Sequence, residues 1–167
     1  VAPDQYTPVA DFFYHLLEMK CGKSSLLNIA DVRIILEPEI ARQAAGSRSD
    51  EDLEQLRESF KKMEGLIHDP QKMIKHDIDF HRVVARAANN PIFPVIMEPL
   101  FQLMTRFISD TYEYPQSPAL ALKSHRAILE CMEAKDSEGA FRAMKNHLSE
   151  GKSHAEVVSG KAFPPKR

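Results

Sequence analysis

The stretch KHDIDFHRVVARAA, residues 75–88, decides how this chain is read. Ile74, Ile78, Val84, Ala85 and Ala88 recur at helical spacing, which predicts an amphipathic helix with one apolar stripe turned to a core. Asp77 and His81 sit on that same stripe, four residues and about one turn apart. A carboxylate and an imidazole on an inward face are costly to bury unless each finds a partner. Two later segments repeat the anomaly. In ALALKSHRAILECME, residues 119–133, His125 shares its stripe with Ala121, Ile128, Leu129 and Met132. Further on, His147 lies on one face with Ala140, Met144, Leu148 and Gly151.

Each of these residues has an ordinary explanation when taken singly. A lone histidine on an apolar face is most often a hydrogen-bonded core residue, and Asp77 could form a buried ion pair with Arg82 or Arg86. As a set, one carboxylate and three imidazoles offer the ligands of a divalent metal. Nitrogen and oxygen donors suit zinc, nickel, manganese or iron and leave coordination positions for water or a ligand. Spacing by itself leaves the two readings evenly matched.

The rest of the composition narrows the class. The chain has 167 residues, 43% of them hydrophobic, enough for one domain with a substantial core. Its formal net charge of -2 supplies no basic field of the kind that binds nucleic acid over a whole surface. Cys21 and Cys131 form neither a disulfide framework nor a metal-type doublet, so a reducing cytoplasm is the expected location. No apolar run reaches transmembrane length, and the opening VAPDQYTP lacks the charged start and apolar stretch of a signal peptide.

Turn and cap signals divide the chain into about seven helical segments with no alternating strand pattern between them. The expected fold is all-α: an antiparallel bundle of about six to seven helices enclosing a central metal or ligand cavity. A first helix over residues 9–20 stops near Gly22, and a second over residues 25–45 is expected to kink at Pro38. Ser49 caps a third, with Asp50, Glu51 and Asp52 in its first turn. Asp69-Pro70 and Asn90-Pro91 open the next two, the second of them bent by Pro94 and Pro99. Ser117-Pro118 starts the His125 helix, and Asp136 or Ser137 caps the last. A tight turn near Lys135 lets those last two helices run antiparallel and brings His125 and His147 to one level.

Three stretches then carry a resemblance: DVRIILEPEIARQAA at residues 31–45, DIDFHRVVARAANNP at 77–91, and SHRAILECMEAKDSEGAFRAMKNHL at 124–148. In order and spacing they resemble the C-terminal effector domain, FCD, of GntR-type transcription regulators of the FadR subfamily. The resemblance covers nearly all of the chain from about Ser24 to His154. It implies that Asp77, His81, His125 and His147 bind a divalent metal, with zinc favoured, and that Arg33 reaches into an effector cavity. It implies a small carboxylate effector, a homodimer, and operator binding through an N-terminal winged helix-turn-helix. Residues 1–23 would be a linker and N-terminal helix following that absent segment, residues 24–158 the effector domain, and residues 159–167 a flexible tail.

Arg33 has a competing use. Glu37 follows it by one helical turn, and such a pair contributes only a few tenths of a kcal/mol when exposed. As a cavity residue, its guanidinium fork could instead hold a carboxylate bidentately. His154 shares the face of His147 but lies two turns away, too far for the same coordination shell. His76 points away from Asp77 around the helix and reads as a boundary residue, while Asn89 and Asn146 are weak candidates for a cavity wall. The leading function is sensory, with no catalysis. The alternative is a metal-dependent hydrolase or oxygenase, since such a centre can activate water. Against it, the chain has no Glu-x-x-His or H-E-x-x-H motif. A plain helical interaction module is the third possibility.

Overall fold

The computed structural model describes residues 25–112 and 116–158, with isolated positions before residue 25. Six helices make up the described chain: α1 (Ser25–Ser47), α2 (Asp50–Gly65), α3 (Pro70–Ala87), α4 (Ile92–Tyr112), α5 (Ser117–Glu133) and α6 (Ser137–Val158). No strand occurs among the described residues. The expected helix over residues 9–20 and the tail beyond residue 158 lie outside the described stretch, as does Cys21. Cys131 is a free thiol.

The helix boundaries follow the local chemistry. Ser49 caps α2 in a reciprocal box: its side chain accepts from the Asp52 amide while the Asp52 carboxylate accepts from the Ser49 amide. Asp69 caps α3 ahead of Pro70, which costs nothing at a position whose amide has no helical partner. The Asn90 side chain accepts from the Ile92 amide at the start of α4. Asn89 takes φ 54°, a left-handed conformation that asparagine tolerates, and turns the chain out of α3. At the start of α6, Asp136 folds over Gly139, where an added Cβ would meet its carboxylate at 2.1 Å. Both prolines of concern sit within continuous helix: α1 is unbroken through Pro38, and α4 through Pro99. Pro94 falls in the first turn of α4, where a missing amide is tolerated.

The helices pack around one core. α1 lies along α6 and touches α3, α5 pairs with α6, and α3 is flanked by α2 and α4. Phe80, Phe101, Leu56, Met63, Met73, Met97, Met104, Ile128, Met132 and Met144 are its largest fully buried apolar side chains. His81 and His125 are buried as completely among them. No helix of the described chain is long and apolar enough to cross a membrane.

Candidate metal centre

Three helices deliver four polar residues to one point. α3 presents Asp77 and His81, one turn apart and 3% and 1% exposed; α5 presents His125, fully buried. His147 comes from α6 and is open on one side. One ligand atom from each of these four residues lies within 4.8 Å of all the others. His81 Nε2 is 3.2 Å from His147 Nε2 and 3.6 Å from Asp77 Oδ1, and His125 Nε2 is 3.7 Å from the same oxygen. The antiparallel α5–α6 hairpin sets the His125 and His147 rings 4.4 Å apart between centroids, as the turn near Lys135 leads one to expect.

Hydrogen bonds behind the rings decide which nitrogens face inward. His81 Nδ1 stands 2.6 Å from Glu37 Oε2, so that nitrogen carries the proton and donates to the carboxylate. His125 Nδ1 donates to the Ala121 carbonyl at 2.8 Å. Each ring is thereby left with an Nε2 lone pair pointing at the cluster. The His125 Nε2 is buried and has no hydrogen-bond partner. An orphaned acceptor of this kind is rare in a protein interior. Burial pushes the His125 imidazole down to about 4, with Asp77 opposing only in part. Burial also pushes His147 well below the usual range, helped by the neighbouring imidazoles. Three converging ring nitrogens and one carboxylate oxygen form a donor set that a divalent cation satisfies. These residues fit a metal.

The partners of that set come from farther away in sequence. Tyr112 of α4 donates to Asp77 Oδ2 at 2.6 Å, leaving Oδ1 for the centre. Glu37 and Arg33 of α1 are both buried and paired to each other, with Arg33 Nε donating to Glu37 Oε1. Burial raises the Glu37 carboxyl, but Arg33 and His81 override it and hold the group down at about 2. The Arg33–Glu37 pair is therefore formed, though not as the weak exposed pair its spacing suggests. It is an interior pair that abuts a site histidine. Arg82 and Arg86 are not partners of Asp77: Arg82 grips Glu98 and Asp79, and Arg86 grips Asp52. His76 sits at the boundary, and Asn146 is exposed. Glu37 and Tyr112 are the residues that sequence reasoning missed. Glu37 was visible only as a helix partner of Arg33, and nothing local in the sequence marked Tyr112.

Beside the cluster opens a cavity of about 50 Å³, lined by Arg33, Asp77, Tyr112 and His147 at one end and by Ser117 and His154 at the other. That volume exceeds what a single water needs. His154 takes no place among the four clustered donors and instead meets Ser117, in keeping with its two-turn separation from His147.

Known proteins share this architecture. Residues 28–150 match the FCD domain family. The chain is 28% identical over 126 residues to the HTH-type transcriptional repressor NanR of Cronobacter sakazakii, and 28% identical over 127 residues to that of Enterobacter sp.. Each alignment covers 74% of this chain and 48% of the relative, so the chain spans about half the length of the curated relatives it matches. Among solved structures, Streptococcus agalactiae GntR superposes with a TM-score of 0.68 at 24% identity, over 80% of this chain and 60% of that one. E. coli McbR/YncC superposes with a TM-score of 0.69 at 20% identity, over 86% and 72%. The family match runs through α1 to α6 and takes in Arg33 and all four clustered residues, and by that match the chain belongs to the FCD domain family.

Proposed function

We propose that this chain is the effector-sensing and dimerisation domain of a GntR-type transcription regulator. In this reading Asp77, His81, His125 and His147 hold a divalent metal, zinc in the first instance, and a small organic acid binds there. Operator DNA is bound by a winged helix-turn-helix elsewhere in the full-length protein, which works as a homodimer in the cytoplasm. The observation that carries the reading is the convergence of four donor atoms within 4.8 Å, one of them a buried histidine nitrogen with no other partner. The printed names of the relatives, transcriptional repressors of the HTH type, support the regulatory half.

When bound, the metal supplies a Lewis-acidic anchor for a carboxylate oxygen. The protein's own residues do the rest. Glu37 and the Ala121 carbonyl hold two imidazoles in the tautomer that presents Nε2, and Tyr112 orients Asp77. Arg33, anchored by Glu37, offers a guanidinium at the cavity wall. A carboxylate that engages Arg33 competes with Glu37 for it. α1 carries both residues and follows the linker, so differential engagement there can bias the arrangement of the DNA-binding segment. The relatives are regulators, and the hydrolase or oxygenase alternative draws no support from them. Tyr112 is also unsuited to act as a base at neutral pH, because burial and the adjoining Asp77 carboxylate push its hydroxyl well above the usual range.

The test is metal analysis of protein purified without chelator, followed by melting of chelated protein with zinc or nickel and a panel of organic acids. Metal uptake and acid-dependent stabilisation that appears only with metal are expected. Protein that takes up neither metal would overturn the reading. Arg33→Ala should keep its metal and lose roughly tenfold to hundredfold in acid affinity, the value of a charge-assisted hydrogen bond.

A further inference from the structure

The cavity beside the cluster is a slot between two antiparallel helix stripes, and its far end is built from polar groups that the metal centre does not use. On α6, His147, Gly151 and His154 share one face, and on α5, Ser117, Ala121 and Ser124 do the same; all six line the slot. Three meetings across the helices set their register. The His125 and His147 rings touch, Ser124 Oγ donates to Glu150 Oε2 at 3.2 Å, and Ser117 Oγ lies 2.8 Å from His154 Nδ1. From His147 to His154 is seven residues, so the Ser117–His154 rung stands roughly 10 Å from the cluster at 1.5 Å per residue.

At the far rung Ser117 is buried, 2% exposed, and His154 is half-buried. The Ser117 hydroxyl, with one donor and two acceptor sites, keeps capacity beyond its single bond to His154. Met104, Ile108, Leu120 and Leu148 make the walls between the ends apolar. Charge is placed unevenly. Among the described residues of the lining, Arg33 is the sole arginine or lysine and stands at the cluster end, while Glu150 puts a carboxylate along the way to the far end.

We infer that the slot takes a short unbranched carboxylic acid with one anionic end, seated at the metal and Arg33, and a neutral hydroxyl at the other, seated at Ser117 and His154. The inference rests on the metal-centre reading above. The span matches a chain of roughly five or six carbons at the spacing set by the helix rise. An apolar middle suits the walls, and a second carboxylate would stand near the Glu150 carboxylate with no arginine or lysine among the described lining residues at that end to receive it.

Calorimetric titration of the zinc-loaded chain with hexanoate, 6-hydroxyhexanoate and adipate, repeated after chelation, tests this. Expected is 6-hydroxyhexanoate binding roughly threefold to tenfold tighter than hexanoate, the worth of one neutral hydrogen bond, with adipate weakest. Ser117→Ala should bring 6-hydroxyhexanoate down to the affinity of hexanoate, and Glu150→Gln should raise adipate. The ranking in the unsubstituted chain stands as a test even if Ser117→Ala fails to fold. Equal affinities, adipate binding tightest, or no binding of any of the three to zinc-loaded chain overturns the inference and leaves the metal centre standing. Failure to take up zinc, or acid binding that survives chelation, overturns the metal reading and this inference with it.

Discussion

Helix α3 meets α2 on one side and α1, α5 and α6 on another, and the two contacts are made of different chemistry. Towards α2 the packing is apolar: Leu53, Leu56, Phe60 and Met63 of α2 are all buried. Charged pairs lie at its edges, such as Arg86 with Asp52. Towards the other helices α3 turns Asp77 and His81 into a polar cluster in which these two and His125 are as deeply buried as the core around them. The α2 contact is complete in itself, since every group there gains by leaving water. The cluster is not, because His125 Nε2 is stripped of water and receives no partner from the protein. One side of α3 stabilises the fold, and the other carries a cluster with an unpaired buried nitrogen.

The contrast is sharpest under substitution. Leu56→Ala removes a fully buried side chain and should destabilise by about 2–5 kcal/mol in urea titration. The loss should be the same with and without chelator. His125→Ala should behave in the opposite way. Wild type with metal at about a hundredfold above its Kd should gain about 3 kcal/mol over the chelated protein. The variant should lose that increment, so its penalty should be about 3 kcal/mol larger with metal than with chelator, where only the cost of the vacated ring remains. A His125→Ala penalty of the same size with and without metal would break the comparison.

Smaller effects test the supports of each side. Glu37→Gln leaves a hydrogen-bonding group at His81 Nδ1 but removes the charge, and should weaken metal binding by about tenfold to hundredfold, as for other partners of metal-bound histidines. Competition with a chromophoric chelator measures it. Ser49→Ala should cost about 1 kcal/mol through the lost cap and leave metal affinity untouched. The same box has a pH signature. Burial raises the Asp52 carboxyl, but the Ser49 hydrogen bonds and Arg86 outweigh it and hold it below its ordinary 3.8. A depressed folded value means that this contribution is present above 3.8 and fades as pH falls below it. Acid titration of stability in Asp52→Asn should be flatter in that window.

The features legible beforehand were those carried by neighbours in sequence. The caps at Ser49, Asp69 and Asn90 act within three residues, and the helical stripes through Asp77, His81, His125 and His147 follow from periodicity. The supports were not legible. Glu37 reaches His81 across 44 residues, Tyr112 reaches Asp77 across 35, and Ser117 meets His154 across 37. Nothing local marks such pairs, and Arg33 looked as ready to form a surface pair as to line a cavity.

What the sequence by itself determined is therefore the set of helices, their inward faces and the four polar residues those faces carry, because backbone capping and the 3.6-residue repeat are local. Which nitrogen of each imidazole faces the centre was decided only by the tertiary structure. So were the burial of Arg33 between Glu37 and the cavity, and the register that closes the slot at Ser117 and His154. These depend on how side chains from different helices meet in a medium without water, where each polar atom must find its partner in the packing.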